Sequence, residues 1–300
     1  MNQQKGSVLI MALWAVSFLA VITAGFTLPL STGTALMKRE AEVMRAKAGF
    51  LNGLRAVQEK ILTDPFPHED SPGDDWLMPF NLPLDESNEM QISVVDEGGK
   101  LNLNNASENW IRAFLEIYED EHGSLEMKPD KITKALVKAR DKKSFRSPAQ
   151  LYLVEGLDPR DVERLLPFFT VYPDTPLFNA NTMNPLVLRA LIRSYSGDEF
   201  AKKELAEALL RQQSEAAGPL RHEDLSPNLF LERLGLSRTP QIVALSSNFL
   251  LYAGADTWLY QVRMKMKNGY ESNMVFRAAP EFGRFEILDA RIFRSGGGGS

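Results

Sequence analysis

Residues 7–37 contain no charged side chain, and Lys5 and Lys38 bracket the stretch. A helix crossing a hydrocarbon core needs roughly 20 apolar residues, so the run is long enough to span one. Helices buried in soluble cores rarely go this far without a charged position. A cleavable secretory signal is the other reading, with Lys5 as its basic start, an apolar core over 8–22 and a cut near Ala24. Against it, the helical pattern continues past that point. The segment MKREAEVMRAKAGFLNGLRAVQEKIL over 37–62 is amphipathic. Leu36, Val43, Ala46, Phe50, Leu54, Val57 and Ile61 recur mostly at steps of three and four, with Lys, Arg and Glu between them. One helix that begins in lipid and ends against a soluble domain is the simplest expectation. Pro29 removes a backbone donor and predicts a kink. Lys5 is the one basic residue ahead of the run, so the short N-terminus stays on one side and the bulk of the chain lies on the other.

Beyond the helix the periodicity changes twice. Residues 63–89 hold Pro65, Pro67, Pro72, Pro79 and Pro83 among many acids, a composition for a surface loop rather than a helix. Residues 91–95 alternate, with Ile92 and Val94 on one face. Glu97-Gly98-Gly99 then predicts a hairpin into 100–104. From about 105 to 245 the pattern is helical. Ser107 caps a first helix whose stripe is Trp110, Ile111, Phe114, Leu115 and Tyr118. Further helices are predicted at 131–139, 148–154, 159–166, 185–194, 198–212 and 227–234, several opened by Ser-Pro or Asp-Pro. From 246 to 293 the period returns to two. Trp258, Tyr260, Val262, Met264 and Met266 alternate with Leu259, Gln261, Arg263, Lys265 and Lys267, and Asn268-Gly269 predicts a hairpin into 271–278.

The expected class is α+β. A long N-terminal helix, half transmembrane and half amphipathic, packs on a small antiparallel sheet, and a large all-α domain is inserted between the early and late strands. The divisions are 7–37 for the apolar half-helix, 38–104 for the rest of the helix and the first strands, 105–245 for the insert and 246–294 for the last strands. Residues 295–300 read as a flexible linker.

Composition narrows the chemistry. Thirty-four basic against 39 acidic side chains give a net charge of −5, which argues against a dedicated nucleic-acid binder. The absence of cysteine excludes disulfides, thiolate metal sites and thiol nucleophiles. His68, His122 and His222 are far apart in polar surroundings, so surface positions are expected and no catalytic residue or metal ligand is assigned. The acids of 65–75 and 118–121 read as solvated. Asp96-Glu97-Gly98-Gly99-Lys100 lacks phosphate-loop spacing and carries acids where phosphate would sit, so a structural turn is the better reading. Asn102, Asn104, Asn105, Asn179 and Asn181 are expected to satisfy backbone groups where strands enter the helical block. Residues 128–146 hold eight Lys/Arg against Asp130 and Asp141. With the turn at 153–157 they are similar to helix-hairpin-helix DNA modules, which makes a membrane-anchored DNA-binding protein of an uptake system the competing function. Glu155 and Asp158 beside the single Gly156 repel phosphate and favour a protein-packing or solvated face.

Some of these segments carry a family resemblance. Lys5-Gly6-Ser7-Val8-Leu9-Ile10-Met11-Ala12-Leu13 resembles the type III leader of type IV pilins and pseudopilins. The resemblance implies a leader of residues 1–6, cut by prepilin peptidase between Gly6 and Ser7. Most of that family has glutamate at the fifth mature position. Met11 stands there instead, as in the K-type minor pseudopilins of type II secretion systems. Val95-Asp96-Glu97-Gly98-Gly99-Lys100-Leu101-Asn102-Leu103-Asn104 resembles that group's most recognisable stretch. Phe178-Asn179-Ala180-Asn181-Thr182, followed by a helix over 185–192, is a second match. The resemblance implies a non-enzymatic subunit that starts and caps the periplasmic pseudopilus. It would be single-pass in the inner membrane, with other minor pseudopilins, the prepilin peptidase and the secretion machinery as partners and no nucleic acid. It also implies calcium in the helical domain. No aspartate-rich loop here has ligand spacing, and the stretch at 138–143 is basic, so no ligand is nominated. A buried carboxylate needs a counter-charge. A subunit with Met11 in its place has no amine above it to neutralise and can occupy a first position. That Met11 is simply one more lipid-facing residue of an anchor remains the alternative.

Overall fold

Strand β2 (Glu89–Asp96) shows how the sheet meets its core, because Met90, Ile92 and Val94 all fall on one buried face. A computed structural model describes residues 3–294 apart from 66–68, 72, 86–87, 173–174, 215–217, 256–257 and 280–282, and no side chain of 1–10, 24–33 or 35 is described. In chain order the elements are α1 (Gln3–Leu62), β1 (Phe80–Pro83), β2, β3 (Leu101–Asn102), α2 (Glu108–His122), α3 (Pro129–Lys142) and α4 (Pro159–Leu165). Then come β4 (Phe169–Thr170), β5 (Phe178–Asn179), α5 (Pro185–Ser194), α6 (Glu199–Ser214), α7 (Pro227–Arg233) and α8 (Pro240–Leu250). The last strands are β6 (Ala253–Gly254), β7 (Leu259–Met266), β8 (Tyr270–Ala279) and β9 (Arg284–Arg294). The chain divides into two compact units, Met1–Asn52 and Gly53–Ser300.

The first unit is helical where described. Met11, Leu13, Trp14, Val16, Phe18, Leu19 and Val21 are exposed, and so is Leu36, which was expected to begin the buried stripe. Among the described residues no helix is long and apolar enough to cross a membrane. Helix α1 runs through Pro29 as one element, and the side chains of Pro29, Gly6 and Ser7 are not described.

In the second unit β1-β2-β7-β8-β9 form one sheet, every neighbouring pair antiparallel. Leu54, Val57 and Ile61 at the end of α1 are buried. Gly53 is set against β2 and β7: a Cβ there would come within 2.7 Å of Met264 Sδ and 3.3 Å of Ile92 Cδ1. Helix and sheet approach this closely because that position has no side chain. The Asn268-Gly269 turn joins β7 to β8 as expected, with Lys265 opposite Glu271.

The helical block leaves the sheet at Asp96 and returns at Leu259. Asp96 and Tyr260 are register partners, so the block is an insertion between neighbouring strands. It has its own core, in which Trp110, Phe178, Phe249 and Phe230 follow one another at centroid distances of 6.4, 5.0 and 5.6 Å. Ser107 accepts from the Trp110 amide as expected, and Pro follows the N-cap in α4, α5 and α7; α8 also opens on Pro240, in a stretch where the sequence predicts no helix.

Four expectations need correction. Residues 97–104 do not return as a hairpin: Glu97–Gly99 is a 3-10 turn and β3 pairs in parallel with β4. Both edges of β2 are already occupied, by β1 and β7. Residues 246–250 are the end of α8, not strand, because Ile242, Leu245, Ser246 and Phe249 share its buried face. Residues 148–153 form a 3-10 rather than an α-helix. The proline-rich stretch holds an edge strand, β1, where Pro83 can close a strand without breaking a ladder.

Candidate functional site

The two internal segments that carry the resemblance, 95–104 and 178–182, meet where the sheet joins the helical block. Asp96 is buried and terminates β2. Its Oδ1 accepts from the Gly98 amide at 2.7 Å, and its Oδ2 accepts from Asn179 Nδ2 at 2.7 Å and Thr182 Oγ1 at 2.6 Å. One carboxylate thus fixes its own turn and ties it to the segment that opens α5. Gly99 lies flat on that segment: its carbonyl accepts from the Asn184 amide at 2.8 Å. A Cβ on Gly99 would come within 2.9 Å of the Thr182 carbonyl carbon.

Beside it sits a buried ion pair. Glu97 is 1% and Lys100 6% exposed. Glu97 Oε1 accepts from Lys100 Nζ and Oε2 from Thr170 Oγ1, while Lys100 Nζ also donates to Gln261 Oε1 at 2.9 Å. A pair this deep survives only if its remaining hydrogen-bonding capacity is filled, since desolvating two charges costs as much as their attraction returns. Thr170 and Gln261 fill it. Arg263 donates to the same Gln261 oxygen at 3.1 Å. A cavity of about 240 Å³ opens beside Lys100, Gln261 and Arg263.

The asparagines act as expected. Asn104 Nδ2 donates to the carbonyls of Phe145 and Val171 at 2.9 and 3.1 Å, and its oxygen accepts from the Phe145 amide. Asn102 accepts from the Asn104 amide and Asn105 donates to the Thr175 carbonyl. Asn181 holds the amide and carbonyl of Leu220, while Asn179 caps the Asn181 amide as well as meeting Asp96. Gln261, Thr170 and the burial of Glu97 and Lys100 were not anticipated. Gln261 sits in the row of β7 that alternation assigns to solvent, and no local signal marks it as an acceptor for a lysine 161 positions away.

The other candidates do not converge. Met11 is 69% exposed on α1. His122 stacks on Tyr118 at 4.6 Å and, like His222, is exposed; His68 lies outside the described residues. The acidic loop is not uniformly solvated. Asp70 is buried and accepts from Tyr260 Oη at 2.7 Å, and Asp64 accepts from Trp76 Nε1 at 2.7 Å. Burial raises the Asp74 carboxyl above its ordinary range despite two hydrogen bonds from Ser71. Among the described residues no three His, Asp or Glu side chains gather where they could hold a metal ion, so the calcium implied by resemblance finds no donor set there. In the basic run, Arg140 turns inward to the carbonyls of Ala106 and Leu103. The hairpin glycine, Gly156, is present with φ +86°. Its flank is acidic: Glu155 is exposed, and Asp158 occupies the cap of α4, its carboxyl held low by Arg160. Phosphate would meet two carboxylates at that turn.

No protein-family model and no curated protein matches the chain. A solved structure does. The chain is similar in fold to a chain of the GspK-GspI-GspJ complex from the enterotoxigenic Escherichia coli Type 2 Secretion System, with a TM-score of 0.59 and 15% sequence identity. The likeness covers 88% of this chain and 99% of that one, so what the two share is a fold of antiparallel sheet and helices along nearly their whole common length.

Proposed function

We propose that this chain is a minor pseudopilin of a type II secretion system, anchored in the inner membrane by the first half of α1 and seated at the tip of the periplasmic pseudopilus. The observation that carries this reading is the likeness of fold, over 88% of the chain, to a chain of a type 2 secretion complex. The anchor rests on the uncharged run 7–37 and on the described side chains from Met11 to Val21. The large apolar ones among them are 68–73% exposed, a surface that calls for lipid or neighbouring helices. Prepilin peptidase would cut between Gly6 and Ser7 and leave that helix on the mature protein. Other minor pseudopilins would pack along it. Met11 supports the tip position, since a subunit without the fifth-position carboxylate has no amine above it to neutralise.

Mass spectrometry of membrane-purified protein should find Ser7 at the mature N-terminus; any other terminus removes the leader assignment. Deleting the protein should stop pseudopilus assembly and secretion, and unimpaired secretion would end the reading.

A further inference from the structure

The helical block carries a groove of about 640 Å³ between the end of α3 and the turn after the 3-10 segment Pro148–Leu153. Its floor is apolar, made by Ala135, Ala139, Phe145 and Val154, and Leu153 stands in its wall 82% exposed. Lys138, Lys142 and Lys143 rim it, all exposed. The acids of the same basic run do not neutralise them. Asp130 pairs with Arg112 at 2.9 Å and Asp141 with Arg140 at 3.4 Å. Glu155 is the one carboxylate in the lining. An apolar trough with a leucine left in water and three lysines around it runs against the charge of a chain at −5.

We propose that this groove docks an acidic segment of another protein, one that presents a bulky apolar side chain to Leu153 and carboxylates to the lysine rim. Burial of the leucine against the trough supplies affinity, and the lysines select charge and speed encounter. Nucleic acid fits the same lysines less well. It would lay phosphates over an apolar floor beside Glu155 and leave Leu153 uncovered. The inference stands on the helical block alone and does not depend on the pseudopilin reading.

The test uses the full-length chain in lipid nanodiscs and fluorescence anisotropy of a short labelled helical peptide, leucine on one face and glutamate on the others. Its controls are the peptide with alanine for leucine, the peptide with lysine for glutamate, and a short DNA duplex. The acidic leucine peptide should bind. Leu153→Asp, and separately the combined Lys138→Glu, Lys142→Glu and Lys143→Glu, should weaken it by about tenfold or more. Lys203→Glu, on α6 and paired at 3.8 Å with Glu207, should leave it unchanged. Thermal melts of each variant report whether the block stays folded, and the lysine variant keeps the test open if Leu153→Asp unfolds. Absence of peptide binding, equal binding of the alanine peptide, or tighter binding of the duplex each overturns the proposal.

Discussion

The two faces of the sheet are held by opposite means. On one, Gly53 brings α1 against Met90, Ile92 and Met264, and what meets there is hydrocarbon and sulfur. On the other, Gln261 shares its oxygen between Lys100 and Arg263 at the join with the helical block. A dry contact has no direction and adapts to modest changes of volume. A buried polar join is fixed in orientation but depends on every partner, because one loss strands a charge or a donor. The first suits a helix that need only stay on its sheet. The second suits a block whose bearing on the sheet is set residue by residue.

The largest effect should come from stranding a charge. Glu97→Ala leaves Lys100 buried and unpaired, and chemical denaturation should show a loss of about 3–5 kcal/mol. The double change Glu97→Leu with Lys100→Met should recover much of it; if it does not, the pair contributes stability of its own and the contrast needs revising. Next, Asp96→Ala removes the acceptor for Gly98, Asn179 and Thr182 and should cost about 2–4 kcal/mol, with amide exchange quickened at 97–99 and 179–182. Exchange that rose equally on β8 and β9 would contradict a local join.

On the dry face, Gly53→Leu overfills the contact and should cost about 1–3 kcal/mol. Gly53→Ala should cost little, because the atoms in the way are flexible methionine and isoleucine ends and alanine favours helix. A large loss for alanine would mean that this face is as exacting as the other.

The smallest effect lies outside both. Arg189, by hydrogen bond and charge, holds the Glu121 carboxyl below its ordinary value. A lowered folded-state value stabilises above the unfolded value, and that contribution is lost as pH falls through the folded one. Glu121→Gln should therefore lower stability by under about 1 kcal/mol at neutral pH and by nothing in acid, read from denaturation at both.

What the sequence made legible was local. Ser107 before an apolar stripe, Pro185 after Asn184, and Asn268-Gly269 between alternating runs each encode an element within a few residues. What it hid was partnership at a distance. Leu101 and Asn102 pair with Phe169 and Thr170 rather than folding back, because β2 had no free edge left, and nothing near residue 101 says so. Alternation points Gln261 to solvent, whereas Lys100 meets it from the turn after β2, and it makes 246–250 strand, whereas Ser246 and Phe249 lie on the buried face of α8. In the seam, the segment at 95–104 was readable as a turn and its asparagines as backbone partners. The ion pair inside it was not.

The insertion point bears on the order of folding. Lys100 and Gln261 are 161 positions apart, so pairing β2 with β7 in an open chain would mean closing a very long loop. The block shortens that search. β3 at its start pairs with β4 near its middle, β5 soon after β4 pairs with β6 at its end, and Asp96 grips Asn179 and Thr182 of the same middle stretch. Once these contacts exist, the two sheet strands emerge side by side, and the long-range step has become a local one. On that route the helical block is the template on which the sheet closes, and damage to its seam would slow refolding of the sheet as well as weaken the join.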